Sequence, residues 1–131
     1  MGAAEVEVVR ALYRAWDRGE SAAEFVHPEL VYVNPPDAVE GGVRHGRAAL
    51  ASVRDVYPDF RVVPEQIYDL GERVVVVGVA HGTGVSGLTT QWRQGYVWTI
   101  RDGRAVEFAW FNDPREALKH VGLDDWPEPV E

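Results

Sequence analysis

The sequence contains no cysteine and no long apolar run, and each absence excludes a class of protein. Without cysteine, disulfides, thiolate nucleophiles and thiolate metal sites are excluded, and nothing indicates an oxidising compartment. The longest apolar stretch, residues 74–80, is far shorter than the ~20 residues that a membrane-spanning helix needs. The N-terminus has neither the basic nor the apolar segment of a secretion signal. We therefore predict a soluble, cytoplasmic protein with no membrane partner.

Positive charge is also scarce. Lys and Arg number 13 against 21 Asp and Glu, so the formal net charge is −8. The arginines are spread along the chain without the cluster that a phosphate-binding surface needs. This balance argues against nucleic acid as a partner.

The length of 131 residues fits a single domain. We predict that residues 1–131 form one domain with an ordered core over about residues 6–123. The segment 124–131 is acidic and contains proline, so it is expected to be a loosely held tail.

Apolar spacing and turn residues predict an order of helices, strands and a closing helix. Ser21 and Glu24 have the spacing of a capping box that opens the second, short helix. Asp113 and Pro114 are typical of the first residues of a helix. The predicted helices cover residues 6–16, 21–27, 47–56 and 114–121, the strands cover 30–33, 60–68, 73–83, 89–101 and 104–112, and residues 37–45 form an ordered loop.

This order predicts an α+β domain in which helices gather on the concave face of a curved antiparallel sheet. A sheet covered in this way leaves an open-ended cone, and a cone can hold a ligand.

Three patterns that suggest a dinucleotide, a serine nucleophile or a metal ion lack the required context. Gly82, Gly84 and Gly87 match G-x-G-x-x-G, but a strand follows where a dinucleotide site needs a helix. Ser86 lies in the same hairpin loop and has no nucleophile elbow around it. The four histidines lack the spacing of metal ligands. We therefore predict neither a cofactor nor a metal site.

Aromatic residues alternate on two predicted strands. Tyr96 and Trp98 share one face of the long strand, and Phe108, Trp110 and Asn112 share one face of the next. Such faces form either ordinary core, which we favour for Phe108, or the wall of a ligand pocket. Buried Trp, Tyr and Asn need polar partners that a dry core lacks, so a pocket is as good an interpretation for the others.

Three ionisable residues are candidate proton carriers. His81 continues the face of Val75 and Val77, and an inward imidazole would be placed for proton transfer. The alternative is a structural histidine near the strand end. Asp37 and Glu40 could cover the mouth of the cone, and the alternative is that both are solvated loop acids.

Four segments together resemble the SnoaL-like polyketide cyclase family of the nuclear transport factor 2-like (NTF2-like) superfamily, to which ketosteroid isomerases are related. The resemblance extends over about residues 6–123. The segments read LYRAWDRG at 12–19, VHPE at 26–29, YVWTIRDGR at 96–104, and NDPREAL at 112–118 followed by VGL at 121–123.

The resemblance implies a cone-shaped α+β barrel with three or four helices, a deep pocket and a homodimer formed through the outer face of the sheet. The isomerase relatives use an Asp base at the end of the first strand, and a Tyr with a protonated Asp as oxyanion hole. The base position corresponds to Asn34 and the acid position to Tyr96, while the tyrosine position falls near Leu12 or Tyr13. Asn34 cannot abstract a proton, but Tyr96 can still donate to an oxyanion.

We therefore expect a small-molecule enzyme that carries out cofactor-independent isomerisation, cyclisation or hydration of a hydrophobic carbonyl-bearing or polycyclic compound. The alternative is a non-catalytic ligand-binding or dimerisation module, which the missing carboxylate at Asn34 favours. The candidate catalytic residues are Tyr96, Asn34, His81 and Asp37, and the candidate ligand-binding residues are Trp16, Tyr13, Tyr32, Trp98, Trp110, Asn112 and Phe108.

Overall fold

The computed structural model of the chain describes residues 2–38, 42–51, 59–83 and 87–130. Glu40, Ser86 and residues 52–56 of the third predicted helix lie outside these ranges. The elements in chain order are α1 (Ala3–Asp17), a 3-10 helix (Ala23–Phe25), β1 (Val26–Asn34), β2 (Gly42–His45), α2 (Arg47–Ala51), β3 (Arg61–Leu70), β4 (Arg73–Thr83), β5 (Thr89–Arg101), β6 (Arg104–Phe111) and α3 (Pro114–His120).

The six strands form one curved sheet in the order β2-β1-β6-β5-β4-β3, which confirms the α+β class. Hairpin connections make β3 to β6 an antiparallel meander. β1 pairs with β6 in parallel, so the sheet is mixed rather than wholly antiparallel. The direction of this pair could not be predicted, because the two strands lie far apart in the chain and no hairpin fixes their orientation.

Residues 42–45 form strand β2 rather than part of the predicted loop. β2 pairs with the end of β1, from Val31 opposite His45 to Asn34 opposite Gly42. All four of its residues are exposed, so they have no apolar alternation from which a strand could be predicted.

The second predicted helix is shorter than expected. Ser21 Oγ accepts a hydrogen bond from the backbone N–H of Ala23 at 3.2 Å, which begins a 3-10 turn of three residues. The strand then starts at Val26, earlier than the apolar run at residues 30–33 indicated.

The two faces of the sheet carry different helices. On the concave face, Val9 and Leu12 of α1 and Leu50 of α2 join the main core. On the opposite face, Ala117 of α3 packs into a second cluster that includes Val97. The prediction that the helices cover the concave face is therefore right for α1 and α2 and wrong for α3.

Gly95 is the reason that α3 can approach the sheet closely. A Cβ at position 95 would lie 2.8 Å from the Cβ of Ala117 and 2.9 Å from the Cα of Pro114. The side chain of Asp113 caps α3 as predicted, since it accepts a hydrogen bond from the backbone N–H of Arg115 at 3.0 Å.

The acidic tail contacts the edge of the sheet. The ring of Trp126 stacks on that of Tyr68, with centroids 5.1 Å apart and planes at 29°. The backbone N–H of Val130 donates to the carbonyl of Ile67 at 2.6 Å. The tail is therefore attached to β3 rather than loosely held, because Trp126 finds an aromatic surface there.

No helix in the parts of the chain covered by the structure combines the length and hydropathy needed to cross a bilayer.

Candidate active site

A cavity of about 280 Å³ opens between α1, α2 and the concave face of the sheet. Its size is near the lower end of the range of about 300–1,000 Å³ that is typical of ligand pockets. The lining is mostly aromatic, with a few polar groups, and comprises Tyr13, Trp16, Tyr32, Leu50, Phe60, Val62, Trp92, Gln94, Tyr96, Phe108, Trp110 and Asn112.

Strand register builds the aromatic wall. Tyr96 of β5 lies opposite Trp110 of β6, and Tyr32 of β1 lies opposite Phe108. The rings of Tyr96 and Phe108 stack at 5.9 Å and 18°, and those of Tyr32 and Phe108 are 5.4 Å apart. The alternation on β5 and β6 therefore produces an aromatic surface that faces the cavity.

Trp98 supports this wall from behind. It is fully buried and lies outside the cavity lining, where its Nε1–H donates a 3.0 Å hydrogen bond to the hydroxyl oxygen of Tyr13. An indole N–H can only donate, so Tyr13 must accept. Among the residues that the structure describes, the hydroxyl proton of Tyr13 has no acceptor, so it can be donated to a ligand.

A second polar group consists of four side chains linked in a row. The hydroxyl of Tyr96 donates to Oε1 of Gln94 at 2.7 Å, and Nε2 of Gln94 donates to Oδ1 of Asn112 at 3.1 Å. Nδ2 of Asn112 in turn donates to Oδ2 of Asp37 at 3.5 Å. We call this row the Tyr96–Asp37 chain, and it leads from the buried end of the cavity to its exposed rim.

The phenols of the cavity are neutral at physiological pH. Burial raises the pKa of Tyr13 well above its usual range, against a smaller opposing effect of the hydrogen bond from Trp98. Burial also raises the pKa of Tyr96. The neighbouring Tyr13 and Tyr32 raise it further, because a phenolate at Tyr96 would be repelled by a phenolate at either of them. Burial likewise raises the pKa of Tyr32, while Arg44 and Trp110 oppose the shift. These groups can form hydrogen bonds to a ligand but do not supply a phenolate base.

Asn34 holds the wall in place. Its Oδ1 accepts a 2.9 Å hydrogen bond from Nε1 of Trp110, and its Nδ2 donates to the carbonyl of Gly42 at 3.4 Å. Both polar ends of the amide are therefore used, and Asn34 lies behind Trp110 rather than in the cavity lining.

His81 does not point into the cavity, so the expectation of an inward imidazole is wrong. It shares its strand face with Val75 and Val77, and these two residues belong to the cluster on the opposite side of the sheet. The neighbouring Ala80 faces inward, since it belongs to the main core and pairs with Trp92 of the lining. The alternation was correct, but the face that it assigned to the interior was not.

Two of the ionisable candidates, His81 and Asp37, thus lie outside the cavity lining. Asp37 is exposed at the rim and contacts the lining through its hydrogen bond with Asn112. Within residues 2–38, 42–51, 59–83 and 87–130, the lining contains no histidine or carboxylate, and no group of three His, Asp or Glu has the arrangement of a metal site.

Gln94 is a polar lining residue that the sequence analysis missed. It is 5% exposed and connects Tyr96 to Asn112. Its position two residues before Tyr96 on the same strand face was the available signal.

The fold is that of the NTF2-like class, as comparison with solved structures shows. An NTF2-like protein of unknown function from Burkholderia pseudomallei is 25% identical, with a TM-score of 0.72 over 92% of this chain and 98% of that one. TerC, co-crystallised with polyporic acid, is 26% identical, with a TM-score of 0.72 over 89% of this chain and 97% of that one. A loop-truncation variant of IdmH is 25% identical, with a TM-score of 0.67 over 89% and 98%.

Within this class the chain belongs to the SnoaL-like domain family, whose sequence profile matches residues 9–108. No curated protein matches the chain. The resemblance seen in the sequence is therefore confirmed at the level of family and fold.

Proposed function

We propose that this protein is a cofactor-independent SnoaL-like enzyme that binds a small hydrophobic carbonyl compound and activates its oxygen by hydrogen bonding. The observation that supports this most is the buried Tyr13 hydroxyl, which accepts from Trp98 and can donate its own proton into the cavity. The reaction classes open to such a site are isomerisation, cyclisation and hydration.

Tyr13 is a better donor to a developing oxyanion than Tyr96, the residue that the sequence suggested. The Tyr96 proton is already donated to Gln94, whereas the Tyr13 proton has no acceptor among residues that the structure describes. A preorganised donor in a site of low dielectric stabilises negative charge on oxygen more than water does. The raised pKa of Tyr13 keeps this proton in place at neutral pH.

The aromatic walls set the kind of molecule that fits. Tyr96, Phe108 and Trp110 present flat surfaces, and the cavity of about 280 Å³ limits the ligand to a compact one. TerC, which shares this fold, was co-crystallised with polyporic acid, and that finding supports a small organic ligand here.

A second candidate function is ligand binding without chemistry. It is favoured by the absence of a carboxylate or histidine from the cavity lining over the residues whose positions the structure gives. Proton abstraction needs such a base within hydrogen-bond reach. The two candidates share the same ligand and differ in whether a product forms.

The homodimer expected through the outer face of the sheet, like the cytoplasmic location, remains a prediction. The mass of the purified protein, measured by sedimentation, tests the dimer directly.

A panel of two-ring aromatic ketones tests the proposed function. Binding is followed by quenching of tryptophan fluorescence, and turnover by mass spectrometry of the recovered ketone. We expect micromolar or millimolar binding that Tyr13→Phe weakens about tenfold. The matched control is Tyr68→Phe, since Tyr68 lies on the other face of the sheet and donates to Gln66. Binding without any product would favour the second candidate, and equal binding by both variants would contradict the role of Tyr13.

A further inference from the structure

We propose that Asp37 fixes the direction of the hydrogen bonds in the Tyr96–Asp37 chain, so that the Tyr96 oxygen accepts a hydrogen bond from the ligand. The cavity then selects a compound that carries both a carbonyl and a hydroxyl group. The inference rests on the proposed function and narrows its ligand class to hydroxy-ketones and enols. Asp37 is in this account a positioning residue rather than a proton carrier.

The direction of these hydrogen bonds is set by Asp37, the outermost residue of the chain. An ionised carboxylate can only accept hydrogen bonds, so Asn112 must turn its Nδ2 towards Asp37. The carbonyl oxygen of Asn112 then faces Gln94, which places Nε2 of Gln94 opposite it at 3.1 Å.

The row of hydrogen bonds continues from Gln94 to Tyr96 at the buried end of the cavity. With Nε2 committed to Asn112, Gln94 presents Oε1 to Tyr96. This oxygen can only accept, so Tyr96 must donate in the 2.7 Å hydrogen bond. No donor to the Tyr96 oxygen occurs among residues 2–38, 42–51, 59–83 and 87–130. The lone pairs of this oxygen are therefore left to accept from a ligand.

Tyr13 offers the cavity a hydrogen-bond donor, whereas Tyr96 offers an acceptor. Trp98 can only donate, so it leaves Tyr13 as the donor towards the cavity. The rings of Tyr13 and Tyr96 are neighbours, with centroids 6.5 Å apart. The cavity thus offers one donor and one acceptor on neighbouring side chains.

This pair of groups discriminates between ligands. A carbonyl oxygen satisfies Tyr13 and a hydroxyl hydrogen satisfies Tyr96, whereas a ligand with ether oxygens alone leaves the Tyr96 oxygen facing another acceptor. Buried polar groups without partners are costly, so the discrimination is expected to be about tenfold in affinity.

Three naphthyl ketones provide the probes. 6-Hydroxy-2-acetonaphthone carries a carbonyl and a hydroxyl donor, 6-methoxy-2-acetonaphthone replaces the donor by an acceptor, and 2-acetonaphthone has no second oxygen and controls for the bulk of the methyl group. Dissociation constants are measured by tryptophan quenching for the wild type and each variant.

The decisive variant is Asp37→Asn. An amide can donate as well as accept, so the side-chain amides of Asn112 and Gln94 can rotate to exchange their nitrogen and oxygen positions. Tyr96 then accepts from Gln94 and can donate its own proton to the ligand. Asp37→Glu retains an acceptor-only group, and Glu29→Gln removes one exposed negative charge away from the cavity. A role limited to surface charge would give Asp37→Asn and Glu29→Gln the same effect.

We expect the wild type, Asp37→Glu and Glu29→Gln to prefer the hydroxy-ketone over both other ketones by about tenfold, and Asp37→Asn to reduce this preference to about threefold or less. Equal affinities for the three ketones in the wild type would overturn the inference and leave the proposed function standing. A full preference retained in Asp37→Asn would overturn the role of Asp37. Failure of all three ketones to bind would contradict the proposed function itself.

Discussion

The indole Nε1 of Trp98 donates a 3.0 Å hydrogen bond to the hydroxyl oxygen of Tyr13, and both residues are buried. The bond joins α1 to β5 across 85 residues of sequence. It satisfies a polar atom inside the core and also determines which way the Tyr13 hydroxyl can donate. A contact that stabilises the fold therefore also prepares the candidate site.

Removing the Tyr13 hydroxyl is expected to destabilise the protein. Tyr13→Phe leaves the Trp98 Nε1–H buried without an acceptor, which should lower the free energy of unfolding by about 1–3 kcal/mol. Urea unfolding followed by far-UV circular dichroism measures the change. Tyr68→Phe, whose hydroxyl is only partly buried, should cost less, and a Tyr13→Phe protein as stable as the wild type would contradict the importance of this bond.

The bond between Asn34 and Trp110 should show energetic coupling. Asn34→Ala and Trp110→Phe each remove one partner of the 2.9 Å hydrogen bond. In a double-mutant cycle measured by urea unfolding we expect a coupling free energy of about 0.5–1.5 kcal/mol. Strictly additive effects would show that Asn34 does not support the cavity wall.

A methyl group at position 95 should be poorly tolerated. The Cβ of Gly95→Ala would meet Ala117 Cβ at 2.8 Å and the backbone of Pro114 at 2.9 Å, so α3 would have to move. We expect a loss of about 1–3 kcal/mol in the free energy of unfolding. Adding Ala117→Gly removes the closest contact and should restore part of the lost free energy of unfolding. The restoration is incomplete because glycine within α3 is itself destabilising. Wild-type stability in Gly95→Ala would contradict the close packing of α3.

The tail should contribute measurably to stability. Trp126→Ala removes the ring stacked on Tyr68, and aromatic pairs contribute about 0.5–1.5 kcal/mol beyond their buried area. A lower midpoint of thermal unfolding is therefore expected. Glu128→Ala changes an exposed tail residue and serves as the control. Equal midpoints for the two variants would mean that the tail is not attached through Trp126.

Stability should decrease at high pH. Burial raises the pKa of Tyr13 and of Tyr96 in the folded protein, whereas both phenols ionise near pH 10 when unfolded. Above about pH 10 the unfolded state therefore binds fewer protons than the folded state, and the free energy of unfolding falls by up to about 1.4 kcal/mol per pH unit for each such phenol. Urea unfolding between pH 8 and 11 measures the slope. Tyr13→Phe should show a shallower decrease, and an unchanged slope would contradict the burial of this phenol.

Local sequence signals predicted most of the fold. Asp113 and Pro114 marked the start of α3, and the change of period after residue 60 gave the four strands of the meander. Strand β2 was not predictable because its four exposed residues carry no apolar alternation. The parallel pairing of β1 with β6 was not predictable because the two strands lie far apart in the chain and no hairpin fixes their orientation. The position of the tail depends on the contact of Trp126 with Tyr68 and on the hydrogen bond from Val130 to Ile67, and both join residues that lie far apart in sequence.

The candidate site was predicted in part. Alternation correctly grouped Tyr96 with Trp98 and Phe108 with Trp110, but it could not tell which residues face the cavity and which support it. Trp98 and Asn34 proved to be supports, and His81 lies on the other side of the sheet, because a period of two does not reveal which face is inside. The direction of the Tyr96–Asp37 chain required the distances between side chains.

The most direct test of the account compares two ligands that differ only in the group offered to Tyr13. Dissociation constants for 2-acetonaphthone and for 2-isopropenylnaphthalene, which replaces the carbonyl oxygen by a methylene group, are measured for the wild type and Tyr13→Phe. We predict that the wild type prefers the ketone by about tenfold and that Tyr13→Phe loses this preference. The same preference in both proteins would contradict the central claim that Tyr13 donates a hydrogen bond to a bound carbonyl.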